Sequence, residues 1–331
     1  MKVSVLIVVY NQERYIRQTI ASVLMQDVNF DYEIVIGEDA STDDTRKIVL
    51  ELEQQHPERI RVLLRDATDA ARDRAAGLGG KSNFVQGLYA CRGEYVALLD
   101  GDDYWTDPLK LQKQVDFLDN NPDFAMSCHN VAMLYEDGSK ELENLFPSGQ
   151  KEIASLEDLL FGNFIQSCTV VFRRGLFADF PEWFYTLKIG DWPVHIFNAE
   201  RGLIKYFPES MAVYRVHEKG FWSGWTSVDR GLEVIKMLGH IDAHLGFKYR
   251  KQIRASQANC FWDIGQQCYR ENRQREGRTY LGKYLSFAGT RSYRNLLSFY
   301  LQLKTPAIYQ GLKACKDFIS SGNSHPRAIG S

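Results

Sequence analysis

The chain has 331 residues and only nine prolines, with no C-x-x-C pair, no long apolar run and no glycine behind its first hydrophobic segment. Each absence excludes something. The six cysteines (Cys91, Cys128, Cys168, Cys260, Cys268 and Cys315) lack tight spacing, so neither a zinc site nor a disulfide framework is expected, and reduced cytosolic thiols are. A spanning helix needs roughly 20 apolar residues in succession, and no run approaches that, so nothing is expected to cross a membrane. The opening "VSVLIVVY" has the makeup of a short signal-peptide core. Only Met1 and Lys2 precede it, however, and "NQERYIRQ" stands where a small-residue cleavage site should be, so it reads as a strand. The glycine-free "VVYNQERY" that ends this strand disfavours a dinucleotide-binding dehydrogenase, which would carry G-x-G-x-x-G here.

What is present belongs to a globular chain with ordinary apolar content and plentiful aromatics. Its length suits one large α/β domain plus an appendage. The net charge of −2 hides an asymmetry: residues 245 to 331 carry 15 Lys+Arg against 4 Asp+Glu, leaving −13 for residues 1 to 244. An acidic front therefore carries a basic back.

Apolar, β-branched runs at 3 to 9, 32 to 36, 60 to 64 and 94 to 99 alternate with helical patterns, the arrangement of βαβ units on a parallel sheet. Ile16, Ile20, Val23 and Leu24 recur at helical spacing, and Ser41 with Asp44 reads as a helix start. A further helical pattern runs from Ser82 to Cys91, and Asp107 and Pro108 open another. Residues 124 to 135 and 169 to 173 read as strands with a helix between them. The stretch from 66 to 80 has no clear assignment and is expected to be a mobile surface loop rather than a binding element. The fold class is thus α/β, a doubly wound, mostly parallel sheet with a C-terminal helical extension. The expected division is 1 to 225 for the sheet domain and 226 to 331 for the extension. The extension's basic and aromatic residues suit packing on the core, self-association or an anionic membrane surface.

In open α/β sheets, ligands bind beyond the carboxyl ends of the strands. The first strand ends in Tyr10 and Asn11, the second in Gly37, Glu38 and Asp39, the fourth in Asp100, Gly101, Asp102 and Asp103. Three carboxylates at one strand tip repel one another unless a cation offsets them, and hard oxygen ligands suit Mg²⁺ or Mn²⁺. Gly101 is expected to permit the tight turn that lets carboxylates two apart face one site. A solvated acidic turn ahead of the Asp107 helix is the other reading. Asp191 in "KIGDWPVHIF" could cap a helix that starts at Trp192 and Pro193.

Taken in order, "VSVLIVVYNQERYIRQTIASVLMQ", "EIVIGEDASTDDT" and "GEYVALLDGDDYW" resemble the amino-terminal half of the family 2 glycosyltransferases, inverting enzymes of the GT-A fold. The similarity runs across roughly residues 3 to 120. It implies a Rossmann-like domain with a donor half (1 to 120) and an acceptor half (121 to 225). It also implies a nucleotide-diphosphate sugar donor, with UDP first, bound by Tyr10, Asn11, Glu38, Asp39, Asp100 and Asp102. A carboxylate is acceptor-only and suits the imide N–H of uracil, the role implied for Asp39. Where the family usually writes Asp-Asp-Gly-Ser this chain has Glu38-Asp39-Ala40-Ser41, so a different loop is expected. Lys81 and Asn83 are the nearest matches to a phosphate-facing Arg of the family. The resemblance further implies Asp191 as general base and Asp102, Asp103 and His217 at a Mn²⁺ or Mg²⁺ ion. On the acceptor side stand Trp192, Arg215 and Trp222, each of which can equally serve packing.

The implied activity is metal-dependent, inverting sugar transfer to a hydroxyl of a glycan or lipid-linked saccharide in cell-surface polysaccharide synthesis. The expected place is the cytoplasm or the cytoplasmic face of the membrane, with homo-oligomerisation open. Two alternatives stand beside it: a nucleotidyltransferase making nucleotide-sugars, which would need a Gly-rich, Lys/Arg-containing amino-terminal loop, and a non-catalytic nucleotide-sugar binder. Nucleic-acid binding is not expected, because the core is acidic.

Overall fold

The first strand, β1 (Val3–Val9), divides its side chains between two layers. Val3, Val5, Ile7 and Val9 enter one core and Leu6 enters the other. A strand buried on both faces has to be apolar throughout, which is why the run is continuous. The computed structural model describes residues 1–146, 149–218, 220, 224–288, 297 and 299.

After β1 come α1 (Ile16–Leu24), β2 (Tyr32–Glu38), α2 (Thr45–Gln55), β3 (Ile60–Leu64), α3 (Ala67–Ala75), α4 (Lys81–Ala90) and β4 (Tyr95–Asp100). They are followed by β5 (Tyr104–Trp105), α5 (Lys110–Asn120), β6 (Phe124–Tyr135), β7 (Glu143–Asn144), β8 (Ile153–Ala154), α6 (Leu156–Phe161) and β9 (Val171–Arg173). The chain continues through α7 (Asp191–Ala199), β10 (Leu203–Val216), α8 (Ser227–His244), α9 (Arg250–Arg270) and α10 (Gln274–Ala288).

The strands make one mixed sheet in the order β3-β2-β1-β4-β9-β6-β10-β5, with β7 on β6 and β8 on β10. The half β3-β2-β1-β4 is parallel throughout, and β9 runs antiparallel between β4 and β6. Chain order reverses at β1, which leaves a crevice at the carboxyl ends of β1 and β4. Register completes the arrangement: Val9 lies opposite Glu38 and Val8 opposite Asp100. The three polar strand ends therefore share one edge.

Two apolar layers hold the sheet. One joins β1, β2 and β4 to Ile16, Ile20 and Val23 of α1, Ile48 and Val49 of α2, and Leu111, Val115 and Leu118 of α5. The other covers the opposite face with Val85 of α4, Leu159 and Leu160 of α6, Val194 and Ile196 of α7, and Met237, Leu238 and Ile241 of α8. Each fully buried side chain of this kind contributes about 1.5 to 3 kcal/mol.

Several expectations are corrected. Residues 66 to 80 are no loop: Asp66 accepts hydrogen bonds from the Thr68 and Asp69 amides and caps α3, whose alanines favour helix. Ser41 does not cap α2, which begins at Thr45, because its hydroxyl accepts the Asn11 amide instead. The described residues divide into two compact units after Ile253, and α8 supplies core residues to the first. Within the second unit α9 and α10 approach closely through glycine: a Cβ on Gly265 would come within 2.8 Å of Leu281, and one on Gly277 within 2.6 Å of Tyr269. Among the described residues no helix is long and apolar enough to cross a membrane, and the cysteines are free. Cys315 lies outside the described residues.

Candidate active site

Beyond β2, Glu38 is fully buried and turns inward. Its carboxylate accepts the Ser41 amide at 2.6 Å and Arg46 Nε at 2.5 Å, so it shapes the following loop and does not face the crevice as expected of a donor contact. Ala40 takes a φ of 58°, the left-handed backbone that glycine adopts freely. A left-handed turn is thus made here without glycine. Asn11, at φ 54°, secures it from β1 by accepting the Thr42 amide at 2.8 Å. Tyr10 stands at the rim, more than a third exposed.

Asp39 is buried between two guanidinium groups. Arg65 Nη1 donates to Oδ1 at 2.7 Å, and Arg74 Nη1 donates to Oδ2 at 3.2 Å and to the Asp39 carbonyl at 2.8 Å. Arg74 also covers the Tyr10 ring at 4.4 Å, and Arg65 is held in turn by Asp73 at 2.9 Å. Burial pushes Asp39 above the usual carboxylate range, opposed by these two cations. Neither arginine was singled out from the sequence, although the available signal was plain. Arg65 directly follows β3, so the strand-end rule that found Asp39 covers it too.

Lys81 and Asn83, expected at donor phosphates, serve elsewhere. Asn83 is buried and donates to the Gly37 carbonyl at 2.7 Å, bracing the end of β2. Lys81 is 3% exposed and donates to the carbonyl of Ile189 at 2.5 Å.

Beyond β4 the carboxylates separate by role. Asp100 is partly buried, and desolvation together with the charges of Asp102 and Asp191 lifts it to about 7, against a hydrogen bond from Ser167. Gly101 is required by space rather than by conformational freedom, since a Cβ there would lie 2.8 Å from Val9 Cγ2. Asp102 reaches His217 Nε2 with Oδ2 at 2.9 Å. Asp103 is 1% exposed and accepts the Arg215 amide at 2.9 Å, while its other oxygen, Oδ2, is buried without a partner. Where it was expected as a direct metal ligand, it braces the turn through the Arg215 amide.

Arg215 is likewise structural rather than acceptor-facing. It is buried, and its guanidinium bonds the Asp102 carbonyl and Gln18, stacking between Tyr15 at 4.9 Å and Tyr104 at 4.7 Å. Trp192 is also buried, with its indole N–H donating to the Leu159 carbonyl at 3.2 Å, so it packs the core instead of offering a sugar face. Trp222 lies outside the described residues.

Asp191 is the first residue of α7, after Gly190 in the capping position. Gly190 has no side chain with which to cap, and Asp191 places a carboxylate in the first turn, at the positive end of the helix. Its charge bears on Asp100, on Lys81 and on the buried His195 one turn along α7.

A divalent cation fits this donor set on two observations: an excess of negative charge raises Asp100, and Asp102 and His217 already meet at 2.9 Å. Among the described residues no group of three or more His, Cys, Asp or Glu closes on one ion. These residues would supply only part of a shell, of the kind that phosphate and water complete at Mg²⁺ and Mn²⁺.

The family model for glycosyl transferase family 2 matches residues 4–179. Among curated proteins the chain is similar to an uncharacterized protein of Mycobacterium tuberculosis, 41% identical over 220 residues, which are 66% of this chain and 60% of that protein. An uncharacterized glycosyltransferase of Nostoc is 32% identical over 224 residues, 66% of this chain and 65% of the relative. The putative teichuronic acid biosynthesis glycosyltransferase TuaG of Bacillus subtilis is 33% identical over 172 residues, 52% and 62% of the two chains. The match thus spans less than two thirds of the length of these curated relatives. Two solved structures share the fold. The mannosyltransferase PcManGT of Pyrobaculum calidifontis, in complex with GDP-Man and Mn²⁺, has a TM-score of 0.58 at 17% identity, covering 95% of this chain and 83% of that one. S. aureus TarS 1-349, in complex with UDP-GlcNAc, has a TM-score of 0.50 at 18% identity, covering 89% and 92%.

Proposed function

This chain belongs to glycosyl transferase family 2, and we propose that it transfers a sugar, with inversion, from a nucleotide-diphosphate donor to a hydroxyl of a cell-surface glycan precursor. The observation that carries the reading is Asp191: a partly buried carboxylate that opens α7 and is close enough to Asp100 to raise it. An inverting displacement needs one such base. Asp191 takes the proton of the attacking hydroxyl, the oxygen forms its bond to the anomeric carbon, and the bond from that carbon to the diphosphate oxygen breaks with its electron pair on the departing nucleotide.

The other residues bind and orient. Uracil presents an imide N–H between two carbonyl oxygens, which suits Asp39 as acceptor and the Arg65 and Arg74 guanidinium groups as donors. Tyr10 supplies a ring at the rim for the base, and Asp100 a carboxyl for the ribose. Asp102 and His217 would hold Mn²⁺ or Mg²⁺, which supplies positive charge for the diphosphate leaving group. The acceptor class follows the relatives of Bacillus subtilis named for teichoic and teichuronic acid biosynthesis.

A thermal-shift panel of UDP, dTDP, GDP and CMP, each with and without Mn²⁺, tests the donor site. A ligand at about a hundred times its dissociation constant adds roughly 2.7 kcal/mol, several degrees in Tm. A Mn²⁺-dependent shift with UDP is expected; no shift with any nucleotide would overturn the reading.

A further inference from the structure

We infer that Lys81 is a positioning residue for Asp191, fixing from α4 the turn that presents the carboxylate; this rests on the assignment of Asp191 as base. The first turn of α4 begins at Lys81 because Gly80, at φ 72°, lets the chain reverse and point the side chain inward. The ammonium then meets three features of one turn. It donates to the Ile189 carbonyl at 2.5 Å, lies 4.1 Å above the Phe184 ring, and sits where a Cβ on Gly190 would come within 3.3 Å of it. Ile189 is two residues ahead of Asp191, so this bond sets the direction in which the chain enters α7.

The same turn is gripped from the other side by α8. Glu233 accepts the Lys188 amide at 2.6 Å, and Lys236 donates to the Thr186 carbonyl at 2.6 Å. Helix entries are usually fixed by a capping side chain, but α7 has none. External bonds from α4 and α8 fix the helix entry in place of a cap. The charged groups facing the Lys81 ammonium are Asp191 and Glu233, and burial brings Lys81 down to about 7. A burial this costly is unneeded for anchoring a helix end alone, since an apolar side chain would fill the space.

The test measures kcat and donor dissociation constants separately for Lys81→Met, Gly190→Ala and Asp191→Asn. A small misplacement of a base can reduce turnover by about a hundredfold. Lys81→Met is therefore expected to lower kcat 10- to 100-fold while donor affinity stays within about twofold. In an Asp191→Asn background the same substitution should cause no further loss. Should Lys81→Met not fold, Gly190→Ala carries the test: its added methyl crowds the ammonium from the turn itself, and the same kcat loss at constant donor affinity is expected. A kcat unchanged in the folded variant would overturn the inference. So would a tenfold loss of donor affinity, which would return Lys81 to the phosphates. Full activity in Asp191→Asn would instead overturn the base assignment, a distinct outcome.

Discussion

Arg65 and Asp39 form a buried ion pair at 2.7 Å, each side chain less than a twentieth exposed, at the deepest point of the proposed base-binding site. Removing Arg65 leaves the buried Asp39 with only the longer Arg74 contact at 3.2 Å, and breaking a buried pair typically costs about 3 to 5 kcal/mol. Arg65→Met should therefore destabilise the protein by about 3 kcal/mol in urea unfolding, and adding Asp39→Asn should recover part of that loss. Equal stabilities of wild type and Arg65→Met would show that the pair carries no structural weight.

Ala40 sits beside this pair in left-handed backbone, at φ 58°. For a residue with a Cβ that conformation costs roughly 1 to 2 kcal/mol, partly offset by the greater unfolded-state entropy of glycine. Ala40→Gly is expected to stabilise the fold by about 0.5 to 1 kcal/mol. A destabilised Ala40→Gly protein would contradict the backbone assignment.

Lys110 presents the opposite case, a buried amine with no anionic partner. Its Nζ is unbonded, 3.8 Å above the Trp105 ring, and burial brings it down to about 7. Because the folded value lies below the unfolded one, near 10.4, the unfolded state binds more protons between the two. The penalty is full below about pH 7 and is relieved as pH rises toward 10. Lys110→Met should stabilise the protein on the order of 3 kcal/mol at pH 6, with the gain shrinking at pH 9 to 10. A gain independent of pH would show that the amine titrates alike in the folded and unfolded states and carries no burial penalty.

Asp102 tests the cation. Asp102→Asn should abolish the Mn²⁺-dependent part of any nucleotide thermal shift. Without ligand it should leave Tm unchanged or raised, because one of the like charges acting on Asp100 is gone. A Mn²⁺ response equal to the wild type would remove Asp102 from the metal site.

Much of this site was legible from residue order alone. The strand-end rule, applied to the ends of β1, β2 and β4, located Asn11, Asp39 and the 100 to 103 cluster, because strand direction is set by hydrophobic pattern and parallel register does the rest. It was not carried to β3, and Arg65 was missed. Side-chain direction was the harder quantity. Glu38, Asn83, Asp103, Arg215 and Trp192 lie near the expected places but point inward, since a polar group beside a buried strand end must first satisfy the backbone around it. The helix at Ala67–Ala75 escaped notice because its apolar face is small: of its residues only Ala70 is buried. Arg74 reaches Asp39 from that helix, and no local pattern marks such a contact.

The most direct measurement is sugar transfer by Asp191→Asn beside the wild type, with donor affinity determined for both. Loss of a positioned general base removes about 10²- to 10⁴-fold in rate. The expected result is a fall of about a thousandfold in kcat with donor binding preserved within about twofold. Turnover within tenfold of the wild type would contradict the assignment of Asp191 and, with it, the proposed chemistry of the crevice.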